Sequence, residues 1–412
     1  MDLREHLLAL VAPHRIGDRI GPGVLLGVSV ELGLRLTFDA GGQDVHVEVA
    51  LADESRRYAA RTARLHLSYR VGDPGAQVDP AVGLDLCRAV ASIAAPHEAR
   101  VLAAIAAEAA ARNGDASPPG EPAGPSRRAE AAAPRAPRIR EVVVDRLLEP
   151  AGSRALPYYT LSPYVGCLIG CRFCYAQERV AGVRRLEGLP DVPWGSYVDA
   201  RVNAAEVLAR ELPALAPLPV KFCPIVSDPY QAAESRYGIT RACLEAIAAA
   251  AAPPPTIVLT RARLIERDAD VLAALPRAYA GASIPTDDDD VRRHFEPRAS
   301  SIAERLAALR RLRAAGVRTF AVVQPLLPGS IAELAAALAD ATSSVSIDVL
   351  RGTFGGAADF DDPRYRSAAD PAWQRGRAEE LAGALSARGV AVWEGDLPPD
   401  LSELAERTGD QR

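Results

Sequence analysis

Apolar and polar residues alternate in three stretches near the start of the chain, and two later stretches have the composition of helices. The alternating stretches are LRLTFDA, VHVEVAL and ARLHLSYRV. Alternation with a period of two predicts β-strands that bury one face and expose the other. The later stretches, DPAVGLDLCRAVASIA and HEARVLAAIAAEAAAR, predict two helices. The first part of the chain is therefore predicted to be a small α+β unit, and its sequence contains no evident catalytic constellation.

A different pattern begins near residue 156, where short apolar runs alternate with longer stretches of helical periodicity. The predicted strands, in chain order, are LPYYTLSPY, VKFCPIV, PTIVLT, AYAGASI, RTFAVVQPLL and VSIDVL. Strands that alternate with helices favour a parallel sheet with right-handed crossovers. Six such units predict an α/β fold, a partial (β/α)6 barrel of the TIM type that follows the small α+β domain. In such barrels the functional residues collect in the loops after the strands.

The segment between the two patterns is rich in Pro, Ala, Gly, Ser and Arg. It shows neither the periodicity of a helix nor that of a strand. This composition is typical of a flexible linker. We therefore predict three parts. They are an α+β N-terminal domain at 1–111, the linker at 112–138, and the barrel with a C-terminal helical extension at 139–412.

Composition is that of an ordinary globular protein, with 49% hydrophobic and 25% charged residues among 412. The net charge of −5 weakens the case for a nucleic-acid partner, although a local basic patch stays open. The sequence has no apolar run of the roughly 18–20 residues that a membrane span needs. Its N-terminus, MDLREHLLALVAP, is a poor secretory signal. We expect a cytoplasmic protein without disulfides and without membrane contact.

Half of the six cysteines fall within eight residues, in the loop after the first predicted barrel strand. Cys167, Cys171 and Cys174 are close enough in sequence for their thiolates to converge on one inorganic centre. Structural zinc normally has four protein ligands, and no further Cys or His occurs within thirty residues downstream. A [4Fe–4S] cube has four irons, so three cysteines would leave one iron open to a small molecule. Gly166 and Gly170 provide the permissive backbone that a loop around a cube needs.

The sequence CLIGCRFCY, with CxxxCxxC spacing after the first strand of a partial barrel, resembles the radical S-adenosylmethionine (SAM) superfamily. The segments VSDPYQAAES, TRARLIERDADVL and GASIPTDDDDVRRHFEPRASSIAERLAALRRLRAAG are similar to its spore photoproduct lyase-like branch. The resemblance implies that the free iron of a [4Fe–4S] cluster binds the amino and carboxylate groups of SAM. It also implies that the reduced cluster cleaves SAM, and that the resulting 5′-deoxyadenosyl radical abstracts hydrogen from a substrate.

Five residues outside the cysteine triplet match positions that contact SAM in the branch. The resemblance implies that Tyr175 shields or contacts the adenine region, and that Ser227 and Asp228 lie near the amino and carboxylate end of SAM. Arg261 occupies the position of a lysine in the branch, where a guanidinium could bind the methionyl carboxylate through two hydrogen bonds. Ser283 matches a serine of the fourth strand. For Ser227, Asp228 and Ser283, the alternative is a role in helix or turn capping.

One position departs from the branch. The photoproduct lyases have a hydrogen-donating cysteine immediately before the Ser-Asp pair, where this chain has Val226. Cys223 lies three residues earlier on the same predicted strand, so its side chain should point to the opposite face. This departure argues against thymine-dimer repair by the lyase mechanism. Glu296 and Arg298 are predicted either to face the substrate or to form a surface ion pair, and His294 is a weaker candidate for proton transfer.

The sequence therefore predicts a radical SAM enzyme with a [4Fe–4S] cluster and SAM as cofactors and an unidentified organic substrate. That substrate could be a small molecule, a peptide or a nucleic acid. The resemblance implies a flavodoxin or ferredoxin as reductant. The alternative hypothesis is a non-catalytic adaptor protein that binds an iron–sulfur cluster or zinc. The sequence does not specify the oligomeric state.

Overall fold

The computed structural model describes two compact units of the chain. The described residues are 7–12, 14–29, 34–53, 65–71, 80–112, 137–152, 156–177, 180–181, 184, 189, 192–216, 218–222, 226–350, 352–353 and 356–401. The first unit comprises 1–137 with 179–192, and the second comprises 138–178 with 193–412. Most of the predicted linker, 113–136, lies outside the described residues, so the division into domain, linker and barrel at the predicted boundaries stays a prediction.

The first unit contains an antiparallel sheet of five strands in sequential order. The strands are β1 (Arg19–Ile20), β2 (Gly23–Ser29), β3 (Leu34–Ala40), β4 (Gln43–Asp53) and β5 (Leu65–Val71). Alternate residues of β3 are buried, as the alternation predicts. The buried face packs in one hydrophobic cluster with residues such as Leu86 and Val90 of α1 (Pro80–Arg112).

The prediction of two helices in this unit is wrong, because α1 is one continuous helix of 33 residues. Pro96 lies inside it, where a proline removes one backbone hydrogen bond and usually kinks or ends a helix. Buried side chains on both sides of the proline, Ala94 and Val101, belong to the same hydrophobic cluster. Burial of one shared face on both sides of the proline therefore outweighs its local cost.

The second unit is built on an eight-stranded sheet with the order β16-β15-β14-β13-β12-β11-β8-β7. Its strands are β7 (Leu148–Gly152), β8 (Pro157–Leu161), β11 (Val220–Phe222), β12 (Thr256–Thr260), β13 (Ala278–Ser283), β14 (Arg318–Val323), β15 (Ser344–Ile347) and β16 (Ala391–Trp393). The pair β7 and β8 is antiparallel, and all other neighbours are parallel. Among the described strands, β16 and β7 are the two edges, so the sheet is an open barrel.

The α/β prediction with a partial parallel barrel is confirmed. The sheet has seven parallel strands, whereas six were predicted, because β16 is only three residues long and leaves no pattern in the sequence. A second, three-stranded sheet has the order β6-β10-β9. Its strands are β6 (Arg138–Val142), β9 (Tyr164–Val165) and β10 (Tyr197–Arg201). No helix in the described part of the chain is long and apolar enough to cross a membrane.

Helices connect successive parallel strands of the barrel. They are α2 (Ala204–Glu211), α3 (Glu234–Tyr237), α4 (Ile239–Ala248), α5 (Ala269–Ala274), α6 (Asp289–Phe295), α7 (Ile302–Ala314), α8 (Ile331–Ala341), α9 (Ala357–Phe360) and α10 (Pro371–Ser386). In the described part of the barrel unit, short 3₁₀ helices lie at Leu212–Ala214, Arg263–Asp268 and Arg366–Ala369. Buried faces of these helices pack on the outer side of the sheet, as Leu244 of α4 packs with Val258 of β12.

The inner side of the sheet forms a separate core. The inner-core residues are Tyr158, Ile257, Leu259, Tyr279, Phe320, Trp393, Leu397 and Leu401. Successive strand residues point to opposite faces, so Ile257 and Leu259 face inward while Val258 faces the helices. The carboxyl ends of the parallel strands therefore lie together at one rim, and the cysteine loop follows β8 and β9 at this rim.

Candidate functional site

The cysteine loop is attached by hydrogen bonds to the segment that follows β11. The Gly166 N–H donates to the Val226 carbonyl oxygen at 3.0 Å. The Gly166 carbonyl oxygen accepts from Ser227 Oγ at 2.6 Å and from Gln231 Nε2 at 3.0 Å. Gln231 Oε1 in turn accepts from the Leu168 N–H at 2.7 Å. Two backbone positions of the loop are thus fixed before the first cysteine and immediately after it.

The three predicted cluster cysteines are free thiols in a largely apolar surrounding. Cys167 and Cys171 are buried and Cys174 is half-buried. Burial raises the pKa of Cys167 to about 12, and the nearby Asp228 carboxylate and Cys174 add to the rise. Burial also raises the pKa of Cys171 and of Cys174. Because burial favours the protonated thiols, metal binding at these cysteines would have to displace protons.

The three thiols are neighbours in space, because Cys167 and Cys171 belong to one buried hydrophobic cluster and Cys174 packs against it. Within the described part of the chain, no three His, Cys, Asp or Glu side chains are arranged to hold a single metal ion. In a cube the thiolates bind separate irons, whereas zinc gathers its ligands around one ion. The cluster on these three cysteines therefore stays a prediction.

Ser227 and Asp228 are buried and already have hydrogen-bond partners. The Ser227 hydroxyl donates its single proton to the Gly166 carbonyl. Asp228 accepts from Thr260 Oγ1 at 2.6 Å and from the Arg261 N–H at 2.7 Å. Burial raises the pKa of Asp228, and the hydrogen bond from Thr260 opposes this rise. Both residues hold the rim loops in place, and their predicted contacts with SAM stay predictions.

Arg261 lies against the cysteine loop and is paired with a buried carboxylate. Its Nη1 lies 2.8 Å from Glu296 Oε1, and its guanidinium carbon lies 5.5 Å from the centre of the Phe173 ring. Glu296 and Arg305 also form an ion pair in which both side chains are fully buried. Arg305 Nη1 donates to the carbonyl oxygen of Ser283 at 2.6 Å. A chain of contacts thus joins two predicted SAM contacts, Arg261 and Ser283.

The predicted surface ion pair of Glu296 and Arg298 is wrong, because Glu296 is buried and pairs with Arg261 and Arg305. The alternative, that the two residues face the substrate, stays a prediction. Arg298 donates from Nη2 to the Gly195 carbonyl oxygen at 2.7 Å and from Nε to the carbonyl oxygen of Leu168. Arg298 therefore braces the cysteine loop through its backbone. Sequence reasoning could not find two of these partners, because Arg261 lies 35 residues from Glu296 and Leu168 lies 130 residues from Arg298.

Two residues that sequence reasoning missed brace the site. Arg305 lies in α7 beside the buried residues Ile302, Leu306 and Leu309. A charged residue among the apolar positions of a helix was the available signal. Asp359, the second, forms an ion pair with Arg172 of the cysteine loop.

The remaining predicted residues lie around this centre or outside the described part. Tyr175 is 37% exposed and directly follows Cys174. His294 Nε2 lies 3.3 Å from Asp359 Oδ1, and burial lowers the pKa of His294. Val226 is fully buried. Cys223 lies outside the described residues.

The middle part of the chain is similar to known proteins. Residues 161–341 match the family model described as the Radical SAM superfamily. A segment of 180 residues is 31% identical to "Uncharacterized protein Rv2578c" of Mycobacterium tuberculosis and covers 42% of this chain and 51% of that protein. A segment of 192 residues is 28% identical to a "Radical SAM Nalpha-GlyT isomerase" of Pseudomonas phage M6 and covers 45% of this chain and 38% of that protein.

The chain spans about half the length of the curated relatives it matches first. Among solved structures, a mutant spore photoproduct lyase overlaps 57% of this chain and 76% of its own, with a TM-score of 0.44 and 19% identity. This structural likeness is too weak to carry an argument. The sequence match begins at the last residue of β8 and includes all three cysteines. Residues 161–341 are therefore similar to the Radical SAM superfamily, and the cysteine loop lies at the start of the matched segment.

Proposed function

We propose that the protein is a radical SAM enzyme in which Cys167, Cys171 and Cys174 hold a [4Fe–4S] cluster. The observation that carries the proposal is a triplet of free, neighbouring thiols, at the rim of an open parallel barrel, inside the segment that matches the radical SAM superfamily. When bound, the cluster and SAM would supply reductive cleavage of SAM to a 5′-deoxyadenosyl radical, which abstracts hydrogen from a substrate. The protein contributes position and exclusion of water.

The residues around the thiols are suited to these tasks. Burial of Cys167 and Cys171 keeps water away from the ligand atoms. Ser227 and Gln231 fix the backbone at Gly166, which orients the start of the loop. In the proposed SAM site, the carboxylate of Asp228 is the partner for an ammonium group. We propose that Tyr175, which is 37% exposed and follows Cys174, contacts the adenine. Alternation along β13 places Ser283 on the same inner face as Tyr279.

The substrate and the reductant are proposed only by class. The valine at position 226 argues against the cysteine-dependent hydrogen return of a photoproduct lyase, so we propose a different organic substrate. The phage relative is named for an isomerase reaction, which is compatible with a reaction that moves hydrogen within one molecule. We propose a flavodoxin or ferredoxin as the electron donor.

Anaerobic reconstitution with iron and sulfide tests the proposal. We expect about four irons per chain, an electron paramagnetic resonance (EPR) signal after dithionite reduction that changes when SAM is added, and formation of 5′-deoxyadenosine. The Cys171→Ala variant should lose the cluster and the nucleoside product. The matched control is Cys243→Ala, which removes a buried free thiol in α4 and should retain both.

The outcomes separate the enzyme from the adaptor hypothesis. An intact cluster without any 5′-deoxyadenosine, or zinc in place of iron, would contradict the proposed enzyme and favour the adaptor. Equal cluster loss in Cys171→Ala and Cys243→Ala would show that general destabilisation, and not loss of a ligand, causes the effect.

A further inference from the structure

One buried side chain, that of Gln231, holds the backbone on both sides of Cys167. Its Oε1 accepts from the Leu168 N–H at 2.7 Å, and its Nε2 donates to the carbonyl oxygen of Gly166 at 3.0 Å. Gln231 is only 1% exposed. The two backbone groups belong to the peptide units that immediately precede and follow Cys167. The carboxamide of Gln231 therefore connects the two peptide units between which the first cysteine lies.

These two hydrogen bonds restrict the backbone conformation of Cys167. Each peptide unit is planar, so φ and ψ of the residue between two units are the only soft backbone torsions at that point. A carboxamide carries an acceptor and two N–H donors on one planar group. Because both peptide units bind to this one group, φ and ψ of Cys167 are restricted together. The direction of its Cα–Cβ bond is thereby fixed, and only rotation about χ1 remains to place the sulfur.

The Gln231 carboxamide is itself anchored at the rim of the barrel and not in the cysteine loop. Its Nε2 also donates to Ser227 Oγ. The Gln231 N–H donates to the carbonyl oxygen of Asp228 at 3.3 Å. The Asp228 carboxylate accepts from Thr260 Oγ1 at 2.6 Å and from the Arg261 N–H at 2.7 Å. The turn that carries Gln231 is therefore attached to the loop after β12, which gives the carboxamide a fixed position.

Main-chain hydrogen bonds hold the loop near the other two cysteines. The Arg172 N–H, directly after Cys171, donates to the carbonyl oxygen of Phe295 at 2.9 Å. The Cys174 N–H donates to the carbonyl oxygen of Cys171 at 3.3 Å. A substitution leaves such main-chain contacts in place, whereas it removes the contacts of the Gln231 side chain. A change at Gln231 therefore affects the surroundings of Cys167 first.

We propose that Gln231 is a positioning residue that orients Cys167 as a cluster ligand before the cluster is present. The part of the inference that concerns the cluster rests on the proposed function, whereas the hydrogen bonds of Gln231 are a property of the metal-free protein. Residues that orient the ligands of a metal centre raise its stability, because less freedom is lost on binding. Loss of the Gln231 carboxamide therefore weakens cluster binding without removal of any ligand atom.

The test compares the full-length protein with its Gln231→Met variant, in which a side chain of similar size has neither the N–H groups nor the carbonyl oxygen. The matched control is Gln374→Met. Gln374 is fully buried in α10, and its carboxamide donates to the carbonyl oxygens of Leu326 and Ala368, both at 2.7 Å. Both substitutions thus remove a buried carboxamide that holds backbone groups, but the partners of Gln374 lie outside the cysteine loop.

In the metal-free protein, mass spectrometry measures amide hydrogen exchange. We expect the peptide that contains Leu168 to exchange at least about fivefold faster in Gln231→Met, because a hydrogen bond to this amide is lost. Gln374→Met should leave the exchange of this peptide unchanged. Gln231→Asn, whose carboxamide is one methylene too short to reach both peptide units, should act in the same direction and serves if Gln231→Met does not fold.

In the reconstituted protein, EDTA should remove iron about tenfold faster from Gln231→Met than from the original chain. The EPR signal of the reduced cluster should also change shape in this variant. Gln374→Met should keep the original rate of iron loss and the original signal.

Unchanged exchange of the Leu168 peptide in Gln231→Met would overturn the inference while the proposed function stands. Faster exchange with an unchanged rate of iron loss and an unchanged EPR signal would do the same, and so would equal effects of the two methionine substitutions on the cluster. If the original chain takes up no cluster, the proposed function fails. In that case faster exchange in Gln231→Met would still support the orientation of Cys167 by Gln231.

Discussion

Single residues around the cysteine loop have steric limits that determine its path. The Gly166 φ angle is +82°, and a Cβ there would lie 2.8 Å from the Tyr197 ring. Gly356 has an ordinary φ of −94°, but a Cβ there would lie 2.8 Å from the carbonyl oxygen of Arg172. The backbone before α9 therefore lies directly on the cysteine loop, with no room for a side chain between them.

Replacement of Gly356 by alanine should push this backbone away from Arg172. Overpacking of this kind costs about 1–3 kcal/mol, so we expect a lower free energy of unfolding in urea and a smaller iron content after reconstitution. The control is Gly383→Ala, because Gly383 lies inside α10 with no atom within 4 Å of an added Cβ. That change should stabilise the helix by about 0.5–1 kcal/mol. Equal stability of the two variants would contradict the steric argument.

The sequence predicted the cysteine triplet because the three residues are closely spaced. It did not predict the ion pairs that surround the cysteine loop. Cys167, Cys171 and Cys174 lie within eight residues, so any compact loop brings them near one another. Glu296 has one partner, Arg305, nine residues away in α7, and another, Arg261, 35 residues away in a different loop. Alternation and spacing predict local structure, such as a strand or a compact loop. They do not predict a buried ion pair between two separate loops, because that contact depends on tertiary packing.

The strands and helices differ in how clearly the sequence pattern predicts them. The long apolar runs predicted the parallel strands from β8 to β15 and the helices between them, because each run is bounded by turn residues. Strand β16 was missed since three residues give no period. The break predicted within α1 was wrong because local helix signals around Pro96 were given more weight than a buried face shared by both halves.

Helix α7 begins with a capping box that should matter for the site, since this helix carries Arg305. The Ser301 side chain accepts from the Glu304 N–H, and the Glu304 side chain accepts from the Ser301 N–H. Ser301→Ala should lower the free energy of unfolding by about 1 kcal/mol. The control is Ser235→Ala, whose exposed hydroxyl donates to the Ala232 carbonyl and caps no helix end. Its effect should stay within about 0.5 kcal/mol. Chemical denaturation of both variants measures the free energy of unfolding. Equal decreases in the two variants would contradict the capping argument.

At the scale of the whole molecule, the hydrophobic cores divide in the same way as the two compact units. One cluster contains only residues of the first unit, such as Leu36 and Leu86. The inner and outer cores of the barrel and the apolar cluster at the cysteines contain only residues of the second unit. Units with separate cores can in principle fold separately.

The described braces of the cysteine loop also lie within the second unit, including Ser227, Gln231, Arg298 and Asp359. A fragment of residues 137–412 should therefore bind the same amounts of iron and sulfide per chain as the full-length protein, and its reduced cluster should respond to SAM in the same way. Iron and sulfide analysis and EPR of both proteins, reconstituted side by side, provide the measurement. A folded fragment that takes up no cluster would show that the N-terminal part is needed to form the site, because Ser227, Gln231, Arg298 and Asp359 would all still be present in it.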